Sequence, residues 1–158
     1  MKYLHSDLLT RPMRWRWFMM GGSLIATCLL SIGIDGRAAE AQPKSVTTHE
    51  VRMLGDADGY RYEPTEINAN SGDSIRFVLV SGGPHHVAFD TATVSAEFKA
   101  VMMRNMPDRW KEDDLSGKML LFPGESYTIS LEGVAPGTYD FRCLPHLAMK
   151  QTGRIIVR

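Results

Sequence analysis

The sequence predicts an all-β domain, an antiparallel sandwich or barrel interrupted by one short helix. Three observations carry that reading. Turn clusters recur about every ten residues beyond residue 42. Apolar residues alternate in three runs, Ile75-Phe77-Leu79, Tyr127-Ile129-Leu131 and Tyr139-Phe141-Cys143, the period that places side chains on one face of a strand. Between residues 91 and 116 the period changes, and Val94, Phe98, Val101 and Met102 share one helical face.

The first 41 residues read as a leader rather than as fold. Lys2, Arg11, Arg14 and Arg16 precede an uncharged apolar run from Trp17 to Ile34, and Ala39-Glu-Ala41 supplies a small-residue cleavage pattern. That is the form of a secretory signal peptide. The run is also long enough to span a bilayer as an uncleaved anchor; the cleavage pattern favours removal. Of the 18 Lys+Arg and 18 Asp+Glu in the chain, five and three lie in this leader, leaving 13 and 15 in residues 42–158. This single-domain balance argues against nucleic acid or an anionic membrane as partner. One of the two cysteines, Cys28, belongs to the leader, so the exported domain keeps a single thiol, Cys143. A leftover cysteine in an exported protein is paired between molecules, reactive, or occupied, and metal ligation would occupy it as thiolate.

In chain order, Val46 to Leu54 is β-rich and ends in a Gly-Asp-Ala-Asp-Gly turn cluster. Tyr60 to Ala69 is a second extended segment, with Pro64 tolerated at an edge or bend. After the turn at Asn70–Asp73, Ser74 to Val80 reads as a central strand. In the excursion, Thr93 or Ser95 caps the helix expected around residues 93–106 and Pro107 ends it. Met102 packs, while Met103 and Met106 cover adjacent surface; the competing reading makes the three a lure for copper(I). Lys118 to Phe122 is a short strand, Pro123-Gly124 and Pro136-Gly137 are turns, and Gly153 to Arg158 closes the domain.

The chemistry concentrates in Tyr139-Asp-Phe-Arg-Cys143-Leu-Pro-His146-Leu-Ala-Met149. Thiolate, imidazole and thioether together form a soft donor set that suits copper, whereas zinc gains little from a thioether and calcium requires oxygen. A second imidazole comes from Gly82-Gly-Pro-His85-His86-Val-Ala-Phe-Asp90. There His85 shares the apolar face of Val87 and Phe89, so His85 rather than His86 points inward.

These residues resemble a known family. Tyr62-Glu-Pro64 with Gly72-Asp73-Ser-Ile-Arg-Phe77, then Pro84-His85-His86-Val87-Ala-Phe89-Asp90, then Pro123-Gly124-Glu125-Ser-Tyr127 and Gly137-Thr-Tyr139-Asp-Phe141 before the Cys143 loop, are similar to the small blue copper proteins. Within the cupredoxins, the resemblance is to the plastocyanin, pseudoazurin and amicyanin group. It implies a Greek-key β-sandwich or barrel of about seven to eight strands over residues 42–158. It implies one copper held by His85, Cys143 and His146 in a plane with Met149 axial. It further implies non-enzymatic one-electron transfer by a periplasmic monomer, which meets redox proteins through a small, transient contact near His146. Leu144, Pro145, Leu147 and Pro84 form the rim of that contact. Two departures stand out. His86 occupies the place of an Asn or Ser that ties the two ligand loops together, and a histidine there introduces titration near neutrality. Met149-Lys150-Gln151 lacks the glycine often found after the methionine.

Three other readings compete. A copper-binding or delivery protein would use Met102, Met103 and Met106. An enzyme would pair Cys143 with His85 or His146 as nucleophile and base, but no acidic or amide orienter accompanies them. A metal-free adhesive sandwich leaves the four-residue donor set to coincidence.

Overall fold

The computed structural model describes residues 45–158 apart from 111–113. The leader expected over residues 1–41 and part of the charged stretch 108–114 lie outside the described residues. Among the described residues, eight strands form two four-stranded sheets. The strands are β1 (Thr48–Asp56), β2 (Gly59–Glu63), β3 (Glu66–Ala69), β4 (Ser74–Leu79), β5 (Ala88–Phe89), β6 (Ser126–Ser130), β7 (Gly137–Arg142) and β8 (Thr152–Val157). One helix, α1 (Ala96–Asn105), lies between β5 and β6. The first sheet runs β2-β1-β4-β6 and the second β3-β8-β7-β5. No helix among the described residues is long and apolar enough to cross a membrane.

The alternating residues point where their period demands. Ile75, Phe77 and Leu79 of β4 and Tyr127 and Ile129 of β6 enter one core together with Phe141 of β7 and Ile155 and Val157 of β8. Tyr62, Phe77 and Phe141 meet edge to face across it, with centroids 4.8 to 6.1 Å apart. Such aromatic pairs add about 0.5–1.5 kcal/mol each beyond the area they bury. In α1 the i, i+4 pair Phe98 and Met102 is buried. Phe98 stacks on Tyr139 at 4.0 Å and abuts Phe89, which fixes the excursion to the second sheet. Ser95 is the N-cap, its hydroxyl accepting from the Phe98 amide.

Four features differ from the expectation. The sheets are mixed, because β1 pairs parallel with β4 and β3 parallel with β8; alternation identifies faces but not partners. The segment Tyr60 to Ala69 is two strands in different sheets, divided at Pro64, which cannot donate a ladder bond. Lys118 to Phe122 is no strand; residues 115–120 instead lie along 85–89, joined by bridges at His85–Leu120 and Ala88–Ser116. Finally, Met106 is fully buried beside Met102, and only Met103 is partly exposed. Methionine here fills the core beneath the excursion.

The turn before β4 is held by one carboxylate. Buried Asp73 accepts from His49 Nε2 at 3.0 Å and from the backbone amides of Asn70 and Thr47 at 2.8 and 3.1 Å. The His49 bond first, then the Asn70 amide, hold its pKa down to about 2. A carboxyl that ionises more readily folded than unfolded contributes stability above the usual carboxylate range and loses it as pH falls through the folded value. Asp73→Asn should therefore lower the melting temperature at pH 7 and flatten the loss of stability between about pH 5 and pH 2. Thermal melts across that range check this, and an acid limb as steep as that of the parent would exclude Asp73 as its source.

Candidate metal centre

Two chain segments meet at one end of the sandwich because β5 pairs with β7, Ala88 opposite Arg142 and Phe89 opposite Phe141. That pairing places the residues just before β5 against those just after β7. His85 is fixed by backbone hydrogen bonds in both directions with Leu120, at 3.0 and 2.8 Å. Cys143 lies one residue past β7, on the face set by Tyr139 and Phe141, and its amide donates to the Gln151 carbonyl at 3.0 Å. The 143–151 loop is thus closed at its base. Within it His146 precedes a single 3₁₀ turn, Leu147–Met149, and Lys150 takes the left-handed conformation with φ 61°.

His85, Cys143 and His146 are all buried, and their donor atoms lie within 4.8 Å of one another. Cys143 Sγ stands 3.5 Å from His146 Nδ1 and 3.9 Å from His85 Nδ1. A metal at the centre of a trigonal plane, with ligand lengths of about 2.0 Å to nitrogen and about 2.3 Å to sulfur, requires an N–S separation of about 3.7 Å. The donor set fits a small soft cation. Burial pushes the Cys143 thiol up. Burial first, then the neighbouring His85, moves His146 down, towards the neutral imidazole that ligates metals.

Met149, expected at the axial position, lies on the surface, 47% exposed. The side chain that enters the group is Gln151, which is fully buried, with Oε1 3.0 Å from His85 Nδ1 and 3.1 Å from His146 Nδ1. A signal for it was present: Gln151, Gly153, Ile155 and Val157 alternate onto the core face of β8. Reading the loop only as far as Met149 stopped short of it. Tyr60 was also missed. Its ring stacks on His146, with centroids 3.8 Å apart and planes 19° from parallel. No local pattern links it to a residue 86 positions away.

The reading of the adjacent histidines needs one correction. His85 faces the donor group, but His86 is buried as well, because the 115–120 segment covers the second face of β5. His86 Nε2 accepts the Leu144 amide at 3.0 Å, which ties the two loops together. Burial is the largest influence on its pKa and lowers it, favouring the uncharged ring.

A mixed β-sandwich holding a buried His-Cys-His group at one end defines a mononuclear copper protein of the soft-donor class. The family model for copper-binding proteins of the plastocyanin/azurin family matches residues 49–158. Plastocyanin from Prochlorothrix hollandica is 33% identical over 117 residues, covering 74% of this chain and 78% of the relative. Plastocyanin from Vicia faba is 35% identical over 106 residues, covering 66% and 96%. The oxidized form of plastocyanin from Dryopteris crassirhizoma superposes with a TM-score of 0.51 at 26% identity, covering 69% of this chain and 99% of that structure. The chain belongs to the plastocyanin/azurin family, and copper is its cofactor.

The Tyr60 stack depends on a missing side chain. A Cβ at Gly55 would meet Tyr60 Cε1 at 2.6 Å and Gly82 Cα at 2.9 Å. Gly55→Ala should displace the ring and destabilise by about 1–3 kcal/mol, the usual cost of overpacking. The His146 ring protons should lose their ring-current shift in Gly55→Ala and Tyr60→Leu alike, which proton NMR of the metal-free protein reads directly. Unshifted His146 resonances in Tyr60→Leu would mean that the rings do not stack in solution.

Proposed function

We propose that this chain is an exported one-electron carrier whose copper is held by His85, Cys143 and His146. The observation that supports the reading is their convergence, buried and at trigonal spacing, from two segments 58 residues apart. Bound there, copper supplies a Cu(II)/Cu(I) couple. The protein's own part is to keep the donors in place and dry. The β5–β7 pairing, the His86–Leu144 bond and the Cys143–Gln151 bond hold them from outside the donor plane. A donor set fixed by secondary structure changes little with oxidation state, which favours rapid transfer over ligand exchange.

Electron entry and exit belong at His146, the group's least buried member, only 6% exposed. Around its loop, Leu144, Pro145 and Leu147 are exposed, as is Pro84 from the other segment. A small apolar rim of this kind suits brief contact with a redox protein. Export rests on the leader read in residues 1–41, and the bacterial periplasm is the compartment it implies. The protein acts as a monomer and as a carrier rather than an enzyme. Copper delivery keeps only Met103 of its three methionines within reach, since Met102 and Met106 are sealed in the core.

Two experiments test this. Copper(II) titrated into residues 42–158 should raise an intense visible thiolate band that saturates at one copper per chain and bleaches on reduction. The band should be absent in Cys143→Ala; a folded parent protein without it would end the carrier reading. Met102→Ala and Met106→Ala should each cost about 2–5 kcal/mol of stability while leaving copper stoichiometry and band intact. Weakened copper binding in those variants, with the band unchanged, would favour delivery.

A further inference from the structure

We propose that the fourth, axial donor to the copper is the amide oxygen of Gln151 and not the sulfur of Met149, an inference that rests on the copper reading above. Gln151 is the polar member of an otherwise apolar or glycine face, Gln151-Gly153-Ile155-Val157, and a buried amide persists only where both its ends are satisfied. One end is: Nε2 donates to the Arg61 carbonyl at 3.1 Å. That bond sets the amide orientation, because the reverse would place two carbonyl oxygens against each other.

Oε1 must then face the two histidines. His85 Nε2 lies 2.8 Å from the Ser81 carbonyl, an acceptor, so the neutral ring carries its proton there and turns a bare Nδ1 lone pair toward the group. Gln151 Oε1 and His85 Nδ1 are therefore two lone pairs 3.0 Å apart. Each has a donor within reach, His146 Nδ1 for the oxygen and the Cys143 thiol at 3.9 Å for the nitrogen. The two lone pairs still face one another, and a cation between the donors turns that repulsion into ligation. The spacing agrees. An oxygen about 2.2 Å from a metal, at right angles to a nitrogen about 2.0 Å from it, sits about 3.0 Å from that nitrogen. The observed separations are 3.0 Å to His85 and 3.1 Å to His146.

Backbone geometry excludes the methionine from the same place. The 3₁₀ turn carries Leu147 and Met149 outward, and the left-handed Lys150 redirects the chain so that Gln151 is the first residue of the inward β8 pattern. Its own amide is held by the His146 carbonyl at 3.3 Å, and its carbonyl by the Cys143 amide. The side chain thus has little freedom to yield its position. A hard amide oxygen favours copper(II) over copper(I) more than a thioether does, so the axial glutamine lowers the reduction potential.

The test compares the copper-loaded full chain with Gln151→Met, Gln151→Leu and Met149→Leu. Electron paramagnetic resonance of the copper(II) forms and the reduction potential are measured for each. Both Gln151 variants should change the copper hyperfine pattern and shift the potential upward, while Met149→Leu should leave both at the parent values. Met149 is a surface residue, so its variant remains informative even if the Gln151 variants misfold. A shifted potential in Met149→Leu, or an unchanged hyperfine pattern in the Gln151 variants, would overturn the assignment and leave the copper site standing. A parent chain that forms no copper–thiolate band at all would overturn both.

Discussion

Everything at the metal end of this molecule depends on holding like groups together. Two imidazoles, a thiol and an amide oxygen from segments far apart in sequence must converge within 3 to 4 Å. Their lone pairs repel, and their burial removes the water that would otherwise satisfy them. The contacts of His146 with Gln151 and Cys143 offset only part of that, and the rest of the compensation is structural. It comes from the two-residue strand β5 on β7, the bridge from His85 to Leu120, and the His86 bond to Leu144. Each of these lies one layer outside the donors and acts on backbone. The donors can therefore be poor partners for one another and still be well placed.

Electrostatics follow from the same burial. Desolvation pushes Cys143 up and moves His86 and His146 down, in each case away from the charged form. For the two histidines this favours neutral rings, the form in which an imidazole can ligate a metal and in which His86 accepts an amide hydrogen. Tyr62 extends the pattern. Its hydroxyl donates to the His86 carbonyl at 2.6 Å, and burial raises it well above the ordinary phenol range, so it remains a donor. The low dielectric that makes the donor group expensive favours the neutral histidines and the Tyr62 hydroxyl, but it works against the Cys143 thiolate, which only a bound cation would favour.

The sequence showed faces clearly and neighbours poorly. Period-2 runs identified the inward side chains of β4, β6 and β7, since a face is a local property of one strand. The parallel pairing of β1 with β4 and of β3 with β8 has no local signature, and turn rhythm alone suggested antiparallel order. His86 was read as outward because the alternation assumes a solvated second face. Residues 115–120 bury that face, and no property of residues 85–90 announces them. His85, Cys143 and His146, which lie together here, were legible because their chemistry is specific and each sits in a short motif. Tyr60 was not, since its stack on His146 is purely tertiary.

Met149 and Gln151 show what the spacing of a loop leaves open. The resemblance implied an axial Met149, three residues past His146. Which side chain a loop turns inward is decided by backbone, not by donor preference. Here Lys150 takes φ 61° between the two candidates, and a non-glycine residue in that region costs about 1–2 kcal/mol. The loop bears that cost at the point where the chain passes from an outward 3₁₀ turn to the inward phase of β8. Had the loop been read backward from β8, its alternating Val157, Ile155 and Gly153 would have arrived at Gln151. The register of the strand that follows a loop is therefore a better guide to which of the loop's last side chains turns inward than the list of donors in it.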